Sequence, residues 1–533
     1  MSLQPTWNDE IPEDIARAGR KILSEDNPYR RVGDEVQEFL SLEDFAMMYG
    51  LDGRGAICPI ILALVTIFQF LENAPDRVAA EWVVTRLDWK YALHVSVLWI
   101  GFHFSDLSNF RLRLLEHGQE RLVFEKVLDW VRSHGFLKKH GKQRTDSTHV
   151  VGQVARLSRL ELVWETLRKA LRAMKKEAPA WYNTAILAAF HEVYSERQSD
   201  WRLSKEEVAQ KMQQAGSDGY WLLDLIEMSA PLAVQALSEV ETLRTVLGQQ
   251  FERRESKVKV HQPPIKGKDV IASPHETEAR WAKKREKEWI GYKLHTTETV
   301  PDEEEDIPSF ITDIGTSAAN DGDSEMVDDI QGRLGERDLA PGKQYVDQGY
   351  VSGPNLAHSA KRGITLIGPA PGNNSRQPEG YRQSDFQLDF DRQEATCPEG
   401  QMSMAWYERP QPDGYVGARV MFKKRCDDCR ARPQCTSSQS GRTLEISPYH
   451  EQLIARRAEQ QTEAFREEMK QRSAIEGTIS AMVRKHGARR ARYRGKAKVR
   501  LQHLFTGAAV NVKRLTRALA ALNKPQQALA TGC

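Results

Sequence analysis

Between Arg472 and Arg500 the sequence RSAIEGTISAMVRKHGARRARYRGKAKVR sets one carboxylate, Glu476, among ten lysines and arginines. An ordinary solvated helix balances such charge with acids. This stretch has only the one, and an acid fixed beside so much positive charge favours a site. Arg472 precedes Glu476 by four residues, which puts both on one helical face. The helix is expected to stop at Gly487. Beyond it, basic residues interleave with Tyr493, and a phosphate backbone is the natural partner of that pattern. Two further acids stand out. Asp146 is flanked by small hydroxyl residues in RTDSTHVV, and Asp347 ends the strand-like KQYVDQGYVS. An isolated Asp146 is also what a turn would use. His149, three positions on, reads as a core or supporting histidine rather than a ligand.

Strand signals at WIGYKLHTTETV, SFITDIGTSA, KQYVDQGYVS and ITLIGP alternate with helical SEMVDDIQGRLGERDL and NLAHSAKRG. The order β, β, helix, β, helix, β predicts a mixed α/β sheet, with Asp146 on its first strand. Carboxylates at the ends of neighbouring strands are placed to converge, whereas those of the acidic run Asp302 to Asp306 are not. Residues 1 to 140 carry apolar residues at helical spacing and predict a helical module. Within it Arg111 and Arg113, following Ser105, Asp106 and Ser108, are candidates for DNA contact as well as for a structural bundle. From Arg156 helices resume, with Leu160, Val163, Leu167, Leu171 and Met174 on one face. A polar, basic linker through HQPPIKGKDVIASPHETEARWAKKREKE follows.

The composition fits a globular chain of roughly three or four domains, since 40% of its 533 residues are hydrophobic and 28% charged. Net charge is only +2, yet residues 472 to 500 hold nine formal positive charges, ten bases less Glu476, so the basicity is local. Met1 leads into polar sequence with no apolar signal segment, which predicts a cytoplasmic protein. The uncharged run Gly55 to Leu71, interrupted by Pro59, Thr66 and Gln69, predicts a buried bundle helix rather than a membrane span.

Four of six cysteines, Cys397, Cys426, Cys429 and Cys435, fall in a turn-rich stretch as TCPEG and KKRCDDCRARPQC. Their spacing predicts a zinc-ribbon-like structural Zn²⁺ site, although the last gap is wide for one. Cys58 reads as a core residue, and Cys533 has no evident partner.

DSTHV with Asp146, VDQGY with Asp347, RSAIEGT with Glu476 and RRARYRGKAKVRLQHLFTGAAVNVKRL resemble, in their order along one chain, the signatures of DDE transposases from bacterial insertion sequences. The group called IS eleven-eighty-two is similar in further respects: LSRLE (Leu157 to Glu161), GYK-x-H (Gly291 to His295), a helical N-terminal region and cysteines before the Glu helix. The resemblance implies an α/β RNase H-like core, a mixed sheet flanked by helices, assembled from residues 141–156, 286–369 and 446–520. Around it would lie an N-terminal helical domain (1–140, DNA binding or dimerisation), an all-helical insertion (157–256) and a Cys-rich insertion (370–445). It implies Asp146, Asp347 and Glu476 as catalytic ligands of Mg²⁺ or Mn²⁺, with Asp146 bridging two ions. Three hard-oxygen ligands suit Mg²⁺, and two such ions suit in-line displacement at phosphorus. DNA would be held by Arg472, Arg484, Lys485, Arg489, Arg490, Arg492, Tyr493, Arg494, Lys496 and Lys498. Val483 stands where related elements carry a base, and Arg484 follows it. The implied function is cutting of element ends bearing terminal inverted repeats and joining of them to target double-stranded DNA, by a homodimer on DNA at the nucleoid of the bacterial cytoplasm. A metal-dependent nuclease without strand transfer, and a domesticated DNA-binding regulator, are the alternatives.

Overall fold

The computed structural model describes residues 2–3, 7–50, 52–255, 257–302, 307–372 and 380–522. Most of the acidic run after Asp302, and Cys533, lie outside them. At the centre is β1 (Lys142–Val151), whose β-branched and hydroxyl residues favour extended backbone. Four more strands extend the sheet from it: β2 (Arg280–Lys284), β3 (Lys287–Thr299), β5 (Lys343–Tyr345) and β6 (Thr365–Ile367), in the order β2-β3-β1-β5-β6. A sixth strand, β4 (Ile311–Ala318), pairs with the second half of β3. β1 runs antiparallel to β3 and parallel to β5, and β5 parallel to β6. The sheet is therefore mixed and flanked by helices, an arrangement compatible with an RNase H-like core.

Gly291 is required where β3 meets the end of β1. Its φ is +153°, and a Cβ there would collide with the Val150 carbonyl oxygen. Behind the sheet runs the helix Lys496–Leu522, buried along Val499, Leu504, Phe505, Ala508 and Val512. Asn511 on this helix accepts from the Ile311 N–H and donates to the Ile311 carbonyl, both at 2.8 Å, which satisfies the buried backbone groups at the start of β4.

The run 55–71 forms the helix Pro59–Leu71, buried at every position but the last, and no helix of the described residues is long and apolar enough to cross a membrane. Phe70 on it stacks on Phe505 of the helix behind the sheet at 6.0 Å. One hydrophobic core consequently runs from Tyr29 through the sheet to Leu519. Residues Arg159–Gln250 form a purely helical unit with a separate core around Leu167, Leu222, Leu243 and Leu247. Its first helix is held by a capping box: Ser158 Oγ accepts from Glu161 N–H, and Glu161 returns the bond to Ser158 N–H. The Cys-rich stretch folds as small sheets around Phe386, Val420, Phe422 and Leu444.

Candidate active site

Parallel pairing puts Arg144 opposite Tyr345. Two residues on from each, on the same side of the pleat, come Asp146 and Asp347 at the point where the two strands part. Asp146 Oδ1 accepts the Ser147 N–H at 2.7 Å. Asp347 Oδ1 accepts the Gly349 N–H at 2.9 Å and caps the turn Gln348–Tyr350. Burial raises the pKa of Asp146 above the ordinary carboxylate range and nearby Asp347 adds to the rise; the Ser147 N–H and Arg472 oppose it.

The third acid arrives on a broken helix. The sequence predicts one continuous helix through Arg472 and Glu476, but it divides at Ala474 into Glu463–Ser473 and Ile475–Lys485. The four-residue relation survives the break. Arg472 Nη1 donates to Asp146 Oδ2 at 2.9 Å and Nη2 to Glu476 Oε1 at 3.2 Å, so one guanidinium spans two of the three acids. The Glu476 carboxylate is otherwise in solvent, 68% exposed.

What holds the Glu476 helix against β1 is a buried ion network. Glu298 on β3, fully buried, accepts from Arg144 Nε (2.7 Å), Thr478 Oγ1 (2.6 Å) and Arg514 Nη1 (2.9 Å). Arg144 also donates to the Gln471 carbonyl at 3.0 Å, at the end of the preceding helix. β1, β3, the Glu476 helix and the helix behind the sheet thus meet at one carboxylate.

Sequence reasoning missed a fourth acid. Asp323 accepts from Lys293 Nζ at 2.8 Å and from Ser147 Oγ at 3.1 Å. A Cβ on Gly349 would lie 3.1 Å from Asp347 Oδ1 and 3.2 Å from Asp323 Oδ2, so the two carboxylates bracket this glycine. Burial works to raise the pKa of Asp323, but Lys293, His295 and Ser147 more than offset it and leave it below the usual range. Tyr350, buried beside these acids, contacts His295 Nδ1 through its hydroxyl at 2.7 Å. Burial pushes His295 down to about 4, so it is neutral near pH 7. Lys293 and His295 belong to the GYK-x-H stretch singled out by sequence. Asp323, the first residue of the 3₁₀ turn Asp323–Met326, carries only the signal of an acid opening a helix.

Two family models match the chain: a Transposase domain (DUF772) over residues 17–113 and a Transposase DDE domain over residues 396–516. Together the two matches indicate a DDE-type transposase of an insertion sequence. No curated protein and no solved structure matches it. The DDE match contains Glu476 and the four clustered cysteines, while Asp146 and Asp347 precede it in the chain.

The transposase divides its basic stretch into inward and outward residues. Residues 489–491 are stitched to β1, with Val151 N–H donating to the Arg489 carbonyl and Ala491 N–H to the Val151 carbonyl, both at 2.9 Å. The Arg489 side chain donates to Thr148 Oγ1 and the His149 carbonyl. Arg492 donates to the Ala74 carbonyl at 2.7 Å and lies over the Phe70 ring. Tyr493 is packed beneath Arg111. The expectation of DNA contact therefore gives way at Arg492 and Tyr493, because both are spent on joining the basic stretch to the N-terminal helices. Arg111, ion-paired with Asp76, and Arg113, which donates to the Met48 carbonyl, are structural for the same reason. Lys496 is half-buried, whereas Arg484, Lys485, Arg490, Arg494 and Lys498 are exposed.

Cys397, Cys426, Cys429 and Cys435 line one small cavity in the transposase with Phe386 and Phe422. Backbone N–H groups of Gln401 and Arg442 point at the sulfurs of Cys397 and Cys426, at 3.3 and 3.4 Å. Among the described residues, the only set of three acid, histidine or cysteine ligand atoms within 4.8 Å of one another is Glu35, Glu38 and His134. Neither the cysteines nor the acids near Asp146 are drawn that close. In the acids' case the Arg472 guanidinium lies between Asp146 and Glu476. Glu35 already accepts from Arg31, Trp130 and His134, which makes its cluster an ion network rather than an open ligand set.

Proposed function

We propose that the transposase cuts the ends of its element and joins them to target DNA, with Asp146, Asp347 and Glu476 as the acidic triad holding Mg²⁺ or Mn²⁺ in an RNase H-like core. The observation that carries this reading is the approach of Asp146, midway along β1, and Asp347, just past the end of the adjacent parallel strand β5, with Asp146 linked to Glu476 through Arg472. The donor set suits the metal: hard carboxylate oxygens, with a guanidinium standing between two of them where positive charge is wanted. Divalent metal, when bound, activates the attacking water or 3′-hydroxyl and neutralises charge on the leaving oxygen. Arg472 then turns to a DNA phosphate. Asp323 and Lys293 hold Ser147, and with it the strand that carries Asp146. Incubation of the purified protein with its own element ends and Mg²⁺, resolving nicked, excised and joined products, tests the reading. Joined products support it; nicks that never become joints would make the protein a nuclease.

The exposed bases Arg484, Lys485, Arg490 and Arg494 follow the flanking DNA backbone in this account. Replacing all four by Ala is expected to weaken binding to every duplex and to lower the salt slope by roughly three to four units, at about 0.9 per phosphate contact. Arg492→Ala should instead lower thermal stability and leave the slope alone, since its donors face protein. Slopes from titrations at several salt concentrations separate the two.

The four cysteines supply the ligands for one structural Zn²⁺ in the same reading. Elemental analysis of the native protein is expected to find zinc, and Cys429→Ser to lower the melting temperature. Absence of zinc, or unchanged melting, overturns this part.

A further inference from the structure

Beside the acids a groove of about 860 Å³ runs from Ser147 and Asp323 out along the β2–β3 hairpin. The sequence gives this hairpin no more than a basic linker. Its turn at Arg285, in the left-handed region at φ +55°, projects Lys284, Arg285 and Lys287 into solvent, and among the described residues none of the three makes an ion pair. Trp281 presents its indole to the same groove with 44% of the residue exposed. Trp289 and His149 form the floor, their rings 5.2 Å apart. Burial, then the charges of Arg489, Lys287 and Lys284, push His149 down to about 4, in keeping with a positive field in the groove. The inner end opens where Ser147 Oγ meets Asp323, one residue from Asp146.

Uncommitted cations around an exposed aromatic ring are what an unpaired nucleic-acid strand requires: charge for the backbone and a platform for a base. A duplex interior has no unstacked base to offer an indole. We infer that this groove holds an unpaired DNA strand entering or leaving the active site, with a base on Trp281 and phosphates on Lys284, Arg285 and Lys287. The assignment rests on the reading of Asp146 as a catalytic acid, because that is what makes the inner end of the groove the reacting end.

The test is fluorescence anisotropy without added Mg²⁺ or Mn²⁺, with a labelled duplex carrying a short unpaired oligothymidine tail and the same duplex blunt-ended. The parent is expected to bind the tailed probe more tightly. Trp281→Ala should lose on the order of tenfold on the tailed probe, with Trp281→Phe retaining most of the binding and blunt affinity unchanged throughout. Lys284→Ala, Arg285→Ala and Lys287→Ala together should lower the salt slope on the tailed probe by about two units, at roughly 0.7 per contact for a single strand. Equal losses on tailed and blunt probes would make the hairpin a general duplex surface, and no loss on either would leave the groove without DNA; both overturn the proposal. Since no catalytic metal is supplied, these outcomes are independent of whether the triad cuts.

Discussion

Asp146→Asn and Asp347→Asn are each expected to abolish cleavage, by about a thousandfold or more, while binding to element ends stays close to that of the parent. A ligand to the metal contributes several kcal/mol of transition-state stabilisation, and each 1.36 kcal/mol is about tenfold in rate. Binding survives because the basic surface is untouched. The substitutions are also gentle to the fold. An Asn oxygen at position 146 still accepts the Ser147 N–H, and Arg472 keeps Glu476. The Asp146 carboxyl has its pKa raised, by burial first, so the stability it contributes as a neutral acid is present below the ordinary value of 3.8 and is lost as pH rises through the folded value. Without metal at neutral pH, Asp146→Asn should therefore melt no lower than the parent. Mg²⁺ should raise the parent's melting temperature but not the variant's, since saturation a hundredfold above Kd is worth about 2.7 kcal/mol. Calorimetry and a gel-based cleavage assay read both effects. A variant that cuts at a rate near the parent's would remove its residue from the triad.

Glu298→Ala should cost roughly 3–5 kcal/mol, because it leaves Arg144 and Arg514 facing each other across a buried space with no anion between them. Glu298→Gln, which keeps the shape and the hydrogen bond from Thr478, should cost less. The network is also what docks the Glu476 helix on β1, so the Ala variant is expected to lose on the order of a hundredfold in cleavage at temperatures where it remains folded. Denaturant melts together with cleavage rates decide this. Stability close to the parent's would mean that water replaces the carboxylate, and that the helix is held by its apolar contacts alone.

The mixed α/β sheet was legible from KLHTTETV, ITDIG, QYVDQ and ITLIG, because strand-like segments alternating with helical stretches favour that class, but the order of the strands in it and the edge strand Arg280–Lys284 were not. The same reasoning put both acids at strand ends, but only Asp347 follows the end of its strand; Asp146 sits midway along β1, which continues to Val151 because β3 pairs with it that far. Other features depend on contacts distant in sequence. Ala474 breaks the helix without any glycine or proline to announce it. Glu298 looks like one more polar residue in a strand until Arg144, Thr478 and Arg514 are brought to it from three other elements. Arg492 and Tyr493 look like a DNA-facing pair, and only the fold shows Phe70, Ala74 and Arg111 waiting for them. Charge density in a sequence does not say which bases turn inward, and the hairpin at Arg285, disguised as a linker, kept its cations outward.

The most direct test of the triad replaces Mg²⁺ by Fe²⁺ in the presence of ascorbate and peroxide, so that hydroxyl radicals cut the polypeptide wherever the metal sits. Scission is expected close to residues 146, 347 and 476, suppressed by excess Mg²⁺ and lost in Asp146→Asn. Cuts confined to the neighbourhood of Glu35, Glu38 and His134, or an unchanged pattern in Asp146→Asn, would contradict it.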